Sequence, residues 1–189
     1  MNAWWRAMYG RFSKSECEEI IEYGLKHKPV DGTIGHGGNK SIVKKDFRQS
    51  TVRWLGRTDP KLQWVYARMN DMMLEANEVA FGFDIAGFRS VQFTEYDGAV
   101  EGKYDWHEDN SWKGTSPFDR KLSMVIQLSD SSTYEGGKLE LANDPFDDKV
   151  FANQGDVIIF PSFNRHRVIP VTKGLRYSLV TWFVGPRFR

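Results

Sequence analysis

The sequence lacks the features that would place it outside a reducing compartment or within a membrane. Its single cysteine, Cys17, cannot form a disulfide within the chain, which is compatible with a reducing compartment. The first residues contain no apolar run of signal-peptide length. No apolar run approaches the ~20 residues that a helix needs to cross a bilayer. These absences predict a cytoplasmic protein without a membrane segment.

The sequence also lacks an excess of charge of either sign. Lys and Arg number 26 against 25 Asp and Glu, and the net charge is +1. Binding to nucleic-acid backbones requires clustered cations, so this balance argues against a nucleic-acid partner. A content of 40% hydrophobic and 27% charged residues is typical of globular proteins, and 189 residues predict one domain spanning 1–189. We expect a helical part over about 1–87 and a β-rich core over about 88–184.

Two helices are predicted in the first part of the chain. The first opens with a capping box, either Ser13 with Glu16 or Ser15 with Glu18. The second has Asp59 as N-cap and proline at its first position. Apolar residues then recur at helical spacing up to Gly82, which ends the helix; they are Leu62, Val65, Met69, Met72, Met73, Ala76 and Ala80. This stripe predicts a face packed on a core.

Short β-type runs separated by turn residues fill the rest of the chain. One strand is predicted at 47–54. Eight more are predicted at 88–96, 104–109, 121–128, 138–142, 149–152, 156–160, 166–170 and 175–184, with turns that include 136–137 and 173–174. So many short strands predict a mainly β member of the α+β class, with a double-sheet jelly roll and the helices packed on one sheet.

A candidate metal pair lies in the strand predicted at 104–109. His107 and Asp109 are two residues apart, so on a strand they would share a face. Such a triplet alone is weak, because it occurs by chance and is usually a solvated polar pair. His166, which follows 57 residues after Asp109, supplies a third ligand from a distant strand. Two imidazoles and one carboxylate with open positions are the facial triad of non-haem Fe(II) oxygenases.

An arginine lies a short distance after the second histidine in the sequence. Arg176 lies ten residues after His166, and a strand, turn and return strand would bring it to the same side of the core. Arg176, Ser178, Val180 and Trp182 share one strand face. A buried arginine needs an anionic partner, and a carboxylate ligand would serve. The alternative is an arginine at the sheet edge that reaches solvent or an acidic residue.

Together these motifs resemble a known family. Residues 88–184 are similar to the 2-oxoglutarate- and Fe(II)-dependent dioxygenases, in the prolyl 4-hydroxylase-like branch that includes the PKHD-type hydroxylases. The resemblance is carried by His107-x-Asp109, by the 155–161 run before His166, and by Gly174-x-Arg176. It extends to Tyr96-Asp97-Gly98, to the 121–130 and 134–141 segments, to Trp182 and to the opening Phe12-Ser13-x-x-Glu16-Cys17.

The resemblance implies a double-stranded β-helix core and a role for each matching residue. His107, Asp109 and His166 would hold Fe(II), and Arg176 would bind the far carboxylate of 2-oxoglutarate. Tyr96 would hydrogen-bond this co-substrate, and Trp182 would line the pocket. Gln127 stands near a position where some animal members have a tyrosine that helps hold the far carboxylate, and its amide could donate the same bond. The implied cofactors are Fe(II), 2-oxoglutarate and O₂, with ascorbate as a candidate reductant.

The substrate is less well defined than the reaction. The resemblance favours a prolyl residue in a protein or peptide, with a free amino acid or other small molecule as the alternative. A nucleic-acid demethylase and a non-redox, cupin-like metal protein are less favoured. The glycine-rich loop 31–39 is a candidate lid. The loop 110–119 should border the active site, where Trp112 and Phe118 would either stack on the substrate or cover the barrel end. The oligomeric state stays open.

Overall fold

The computed structural model describes residues 3–35, 41–88, 90–110, 112, 116–147 and 149–188. The strands are β1 Arg6–Met8, β2 Val30–Asp31, β3 Arg48–Gln49, β4 Thr51–Leu55, β5 Gly87–Phe88, β6 Val91–Asp97, β7 Lys103–His107, β8 Phe118–Gln127, β9 Tyr134–Gly136, β10 Leu139–Leu141, β11 Val157–Pro161, β12 His166–Val168 and β13 Val171–Pro186. The α-helices are α1 Lys14–Leu25 and α2 Gln63–Ala76. Short 3₁₀ turns cover Pro60–Leu62, Gly98–Val100 and Ser131–Thr133, and a π-helical turn covers Asn77–Phe81.

The strands form two sheets that enclose a cavity. The larger sheet has the order β1-β11-β8-β13-β6-β4-β2, with β5 and β9 pairing with β13, and the smaller one has the order β10-β12-β7-β3. All the pairings are antiparallel. Because residues of both sheets line one cavity, the sheets face each other in the predicted double-sheet arrangement.

The long strand β13 is the centre of the larger sheet. It pairs with β8 through Ser178–Pro186 and with β6 through Leu175–Val180. The sequence predicts a turn at 173–174, and this prediction is wrong. The register against β9 is irregular between Val171 and Lys173, and Gly174 has a φ of +71°, but the strand continues through both positions. The segment therefore contains a local irregularity rather than a reversal of the chain.

Both predicted helices are confirmed, and both lie on the outer face of the larger sheet. Ser13 caps α1 through a complete capping box with Glu16. Asp59 caps the 3₁₀ turn that leads into α2, and Gly82 terminates the π-helical turn with a φ of +67°. One apolar cluster joins Cys17, Ile20 and the predicted stripe of α2 to Leu122, Phe183 and their neighbours on the sheet. Within the described residues, no helix is long and apolar enough to cross a membrane.

Several strand predictions need correction. Lys149–Phe151 form turns rather than a strand, because Phe151 reaches the core between the sheets from an irregular segment. The predicted strand 47–54 is two strands in different sheets, β3 paired with β7 and β4 paired with β6. Ser50 lies where the chain crosses between them. The strands β1 and β9 are not predicted from the sequence.

Candidate metal centre

Three side chains from distant parts of the sequence converge in the cavity between the sheets. The ligand atoms of His107, Asp109 and His166 all lie within 4.8 Å of one another. The Nε2 atom of His107 is 3.7 Å from Oδ1 of Asp109, and that of His166 is 3.4 Å from Oδ2. The structure thus brings together all three residues that the sequence nominates as metal ligands.

The two histidines are placed opposite each other by strand pairing. His107 ends β7 and pairs directly with His166, the first residue of β12. Each ring is tethered to the carbonyl two residues earlier: Nδ1 lies 2.7 Å from the oxygen of Asp105 in His107, and 2.9 Å from that of Asn164 in His166. An Nδ1–H that donates to a carbonyl leaves the Nε2 lone pair free, which is the atom that a metal would take.

Asp109 does not lie on the strand, contrary to the prediction of a strand over 104–109. β7 ends at His107, and the Asp109 amide donates to the carbonyl of Ser162 at 2.8 Å. The carboxylate Oδ2 accepts a hydrogen bond of 2.7 Å from Ser123, whose hydroxyl is 2.9 Å from that of Ser162. Ser123 on β8 therefore orients the carboxylate directly, and Ser162 in the turn after β11 supports Ser123; neither serine is singled out by sequence reasoning.

The electrostatic environment keeps His107 and Asp109 in metal-binding protonation states. Burial, helped by the nearby charge of His166, lowers the pKa of His107 to about 3. Burial alone would raise the pKa of Asp109, but electrostatic interactions with the two histidines and Arg120, with the Ser123 hydrogen bond, hold it below its usual range. A neutral imidazole and an ionised carboxylate are the forms that coordinate divalent cations.

The cavity beside this cluster has a volume of about 220 Å³, and its lining includes the predicted strand face of β13. Arg176, Ser178, Val180 and Trp182 all line it. Arg176 is only 2% exposed, and its guanidinium lies 5.7 Å from the ring centroid of Tyr96. Among the described residues its Nε has no hydrogen-bond partner. A buried guanidinium in this state is suited to a carboxylate supplied by a ligand.

Tyr96 and Trp182 also lie where the resemblance places them, on the cavity wall. Tyr96 is next to Arg176 in the pairing of β6 with β13. Burial raises the pKa of Tyr96, so its phenol stays a hydrogen-bond donor. The indole Nε1 of Trp182 is buried without a partner among the described residues. Both side chains thus have a free polar atom near the space that a ligand would fill.

Gln127 is placed differently. It lies on the inner face of β8 and is 1% exposed, but it is not one of the described residues that line the cavity. Its amide nitrogen donates to the carbonyl of Ser129 at 3.0 Å and to the hydroxyl of Tyr134 at 2.9 Å. Both amide hydrogens are therefore used within the protein, and a contact of Gln127 with a co-substrate stays a prediction.

Two arginines that sequence reasoning does not nominate line the same cavity. Arg120 packs on the ring of Trp182, with the guanidinium carbon 3.9 Å from the ring centroid. Arg48 packs in the same way on Tyr104, at 4.4 Å. Burial lowers the pKa of Arg120, and the positive charge of Arg48 adds to this effect. The two guanidinium groups thus both contribute positive charge to the wall of the cavity.

Arg120 faces the cavity because β8 is irregular. Phe183 pairs with Leu122 and Val184 pairs with Arg120, so Lys121 is an extra residue in the ladder. A regular alternation would turn Lys121 toward the cavity and Arg120 away from it. Lys121 instead lies 3.3 Å from the ring centroid of Phe188. β-Bulges often re-aim side chains beside active sites in this way.

The two predicted loops lie differently with respect to the cavity. Thr33 and Gly35 of the candidate lid line it, while the rest of that prediction, 36–39, lies outside the described residues. In the loop 110–119, positions 111 and 113–115 also lie outside them. Trp112 packs near Phe163 and Phe188, and neither Trp112 nor Phe118 is among the described residues that line the cavity. A direct role of these two aromatics in substrate binding stays a prediction.

Sequence comparisons connect this geometry with characterised groups of proteins. A family model for the 2OG-Fe(II) oxygenase superfamily matches residues 91–184. A PKHD-type hydroxylase of Synechococcus sp. (strain CC9311) is 39% identical over 170 residues, covering 89% of this chain and 73% of that relative. The PKHD-type hydroxylase YbiX of Escherichia coli O81 (strain ED1a) is 29% identical over 184 residues, covering 92% of this chain and 75% of that protein.

Comparison with solved structures supports the predicted fold. A Pseudomonas putida prolyl-4-hydroxylase has a TM-score of 0.72 and 17% identity, with 98% of this chain and 94% of that chain covered. A Trichoplax adhaerens prolyl hydroxylase, solved with a peptide fragment of the hypoxia inducible factor oxygen degradation domain, has a TM-score of 0.75 and 16% identity. That alignment covers 95% of this chain and 83% of the other. These likenesses confirm the predicted double-stranded β-helix.

Proposed function

The chain belongs to the PKHD-type hydroxylases of the 2OG-Fe(II) oxygenase superfamily, and from this premise we propose that it hydroxylates an aliphatic C–H bond of a prolyl residue in a protein or peptide. The enzyme is a dioxygenase that depends on Fe(II), 2-oxoglutarate and O₂. When bound, iron and 2-oxoglutarate supply the oxidation, in which R–H, 2-oxoglutarate and O₂ give R–OH, succinate and CO₂. The rest of the proposal concerns what the side chains of this protein do.

We assign iron binding to His107, Asp109 and His166. The observation that supports this assignment most strongly is their convergence within 4.8 Å at the wall of a cavity. The donor set is that of the 2-His-1-carboxylate triad, and three protein ligands leave positions for a chelating co-substrate and O₂. The tethered rings and the hydrogen-bonded carboxylate fit such a metal without rearrangement.

We assign the far carboxylate of 2-oxoglutarate to Arg176. This arginine is deep in the cavity, almost fully buried, and without an ion pair among the described residues. Tyr96 lies beside it and would donate a hydrogen bond to the same co-substrate. Trp182 follows Ser178 and Val180 on the inward face of β13, and it would shield the reacting centre from water.

A free amino acid or another small molecule is the second candidate substrate. The observation that favours it is the cavity itself, whose volume of about 220 Å³ suits a small ligand. The prolyl hydroxylase of Trichoplax adhaerens was solved with a peptide fragment, which supports the first candidate. The membership of an oxygenase family leaves a non-redox, cupin-like role without support.

We also propose that residues 1–189 act as one dioxygenase domain. Its support is the apolar cluster that joins Phe12 and Met69 of the helical part to Leu122 and Phe183 of the larger sheet. A cluster that is shared in this way would be exposed if the helical part separated from the β core.

The test of this function is anaerobic binding of iron and 2-oxoglutarate. Adding 2-oxoglutarate to the Fe(II)-loaded protein should produce a visible charge-transfer absorption band. Arg176→Met should weaken 2-oxoglutarate binding by 30-fold or more, since breaking a buried charge pair costs about 2–5 kcal/mol, and Arg176→Lys should recover part of it. Iron affinity should be unchanged in both variants. The absence of a band at saturating concentrations would refute the oxygenase assignment.

The substrate is then identified by succinate release. Proline-containing peptides and free amino acids should be compared as substrates, with mass spectrometry to detect the gain of one oxygen atom. Turnover of internal prolyl residues would support the first candidate. Turnover restricted to free amino acids would replace it with the second.

A further inference from the structure

The cavity has more positive charge than its own acidic groups can balance. Three arginines line it, Arg48, Arg120 and Arg176, against Asp109 as the one carboxylate among the described residues of the lining. In the sequence, residues 36–40, which lie between the lining residues Gly35 and Ser41, and residues 113–115 contain no Asp or Glu. The surplus is therefore not balanced by the described residues of the lining.

The proposed function accounts for only part of this charge. If that function is correct, the charges of Fe(II) and Arg176 are together balanced by Asp109 and the two carboxylates of 2-oxoglutarate. Arg48 and Arg120 then remain as uncompensated cations in the wall of the cavity. Burying a charge without a counter-charge costs several kcal/mol, so a ligand that completes the site should be anionic.

Arg48 is held rigidly with one nitrogen unused. It is 7% exposed, its Nε donates to the hydroxyl of Ser50 at 2.9 Å, and its Nη1 donates to the carbonyl of Thr33 at 2.9 Å. Its Nη2 has no partner among the described residues. Neutral partners fix the guanidinium on the small-sheet side of the cavity without neutralising it.

Arg120 faces the cavity from the larger sheet. Its Nη1 donates a long hydrogen bond of 3.3 Å to the backbone carbonyl of Asp109, and its plane packs on Trp182. It makes no ion pair with any residue in the described part of the chain. The bulge at Lys121 is what turns this side chain inward, so the irregularity in β8 adds one positive charge to the cavity.

We propose that Arg48 and Arg120 form a second anion site, distinct from Arg176, that binds a carboxylate of the substrate. The enzyme would thus act on an acid, with the carboxylate close to the carbon that is hydroxylated. Guanidinium groups bind carboxylates in a planar, directional manner, and two of them on facing sheets would orient the substrate between them. A free amino acid and the C-terminal or acidic residue of a peptide both supply this group.

The experiment compares acids with their neutral isosteres in the anaerobic complex with Fe(II) and saturating 2-oxoglutarate. Isothermal titration calorimetry would be run with three matched pairs: L-proline and L-prolinamide, acetyl-Ala-Pro and its amide, and a peptide with Glu or Gln beside an internal proline. We expect the acid of at least one pair to bind tenfold or more tightly than its neutral partner. The pair that shows the preference identifies the source of the carboxylate.

Two variants test whether the preference for the acid depends on Arg48 and Arg120. Arg48→Gln and Arg120→Gln should each reduce the acid-to-amide affinity ratio toward one, while 2-oxoglutarate affinity stays within twofold of the wild type. The control is Arg167→Gln, which removes an arginine of the small sheet that is ion-paired with Glu140 outside the cavity and should leave the ratio unchanged.

The possible results separate this inference from the proposed function. Failure to bind 2-oxoglutarate would refute the proposed function. Normal 2-oxoglutarate binding with equal affinity for acid and neutral ligand in every pair would refute the inference alone, and this comparison uses the wild type, so it does not depend on whether a variant folds. An acid preference that survives both arginine substitutions would also refute it.

Discussion

The two faces of the larger sheet differ in composition, although they are made by the same strands. The outer face is mainly apolar, and the inner face combines apolar residues with polar and charged ones. On β8 the outward residues Leu122, Met124 and Ile126 are fully buried against the helices. The inward residues Ser123 and Gln127 are just as inaccessible but polar, and the inward residue between them, Val125, is apolar. On β13 the same alternation sets Leu179 and Phe183 against Arg176 and its inward neighbours. Burial alone therefore does not distinguish residues that stabilise the fold from residues that serve the site.

The two faces therefore have different physical roles. The outer face excludes water and contributes transfer free energy, of about 25 cal/mol for each Å² of apolar surface buried. The inner face buries charges and unpartnered polar atoms, which is unfavourable for folding. We therefore expect substitutions on the outer face to change the free energy of unfolding, and substitutions on the inner face to change ligand binding.

The largest effect should come from removing the carboxylate on the inner side. Asp109→Ala should abolish iron binding, because two imidazoles alone hold Fe(II) weakly. The midpoint of thermal unfolding should stay within a few degrees of that of the wild-type apoprotein, since the substitution removes a buried charge, which is unfavourable for folding, and leaves the apolar cluster on the outer face unchanged. Iron content and thermal unfolding are the measurements. A variant that binds iron normally, or that unfolds at ambient temperature, would contradict the separation of tasks.

The next largest effect should come from the outer face of β8. Met124→Ala should destabilise the protein by about 2–5 kcal/mol, because it leaves a cavity between the sheet and the helices. Iron and 2-oxoglutarate affinities of the folded variant should stay within twofold of the wild type. Denaturant unfolding and metal titration would be compared on one preparation. A large loss of metal affinity would show that the two faces are coupled.

Low pH should destabilise the metal-free protein mainly through His107 on the inner side. His107 has its pKa lowered to about 3 from 6.5, so in metal-free protein the unfolded chain takes up a proton at this residue at a higher pH than the folded chain does. Stability should then fall as the pH drops below the unfolded value, by about 3 kcal/mol between roughly pH 7 and pH 4. His107→Gln should reduce this slope. An equal pH dependence of the unfolding free energy in the wild type and the variant across this window would contradict the contribution expected of His107.

A smaller effect should follow from loosening the carboxylate rather than removing it. Ser123→Ala takes away the hydroxyl that donates to Asp109, and it should lower iron affinity by about 10–100-fold, as for other residues that orient metal ligands. Ser178→Ala is the matched control, because Ser178 also lines the cavity and makes no hydrogen bond to Asp109 within the described residues. Equal losses in the two variants would indicate a general effect of the cavity wall.

The sequence predicts those parts of the molecule where a local signal has one physical cause. The capping box at Ser13 and the stripe of α2 are such signals, and both are found in the structure. The three candidate ligands and Arg176 are nominated from their spacing and from the family resemblance, and the structure places all four at the wall of one cavity. Their convergence is a property of strand pairing, in which His107 and His166 are direct partners.

The remainder depends on register, which the sequence does not encode locally. Arg120 would be assigned to the outer face by regular alternation, and only the extra residue Lys121 in the ladder turns it inward. Arg48 reaches the cavity because the chain crosses between sheets at Ser50, which divides what looks like one strand. Ser123 and Ser162 become neighbours through the pairing of β8 with β11, and their sequence context gives no sign of it.

The tethers of the two histidines have a consequence for how the enzyme exchanges its metal. Each imidazole is held by a carbonyl only two residues away, so its orientation depends on the backbone immediately before it and not on an ion. Metal capture then requires no folding step, and its rate should be limited by access through the cavity. Iron that is lost to a chelator should return quickly and completely, so the protein can serve as a reusable template across repeated cycles of iron scarcity and supply.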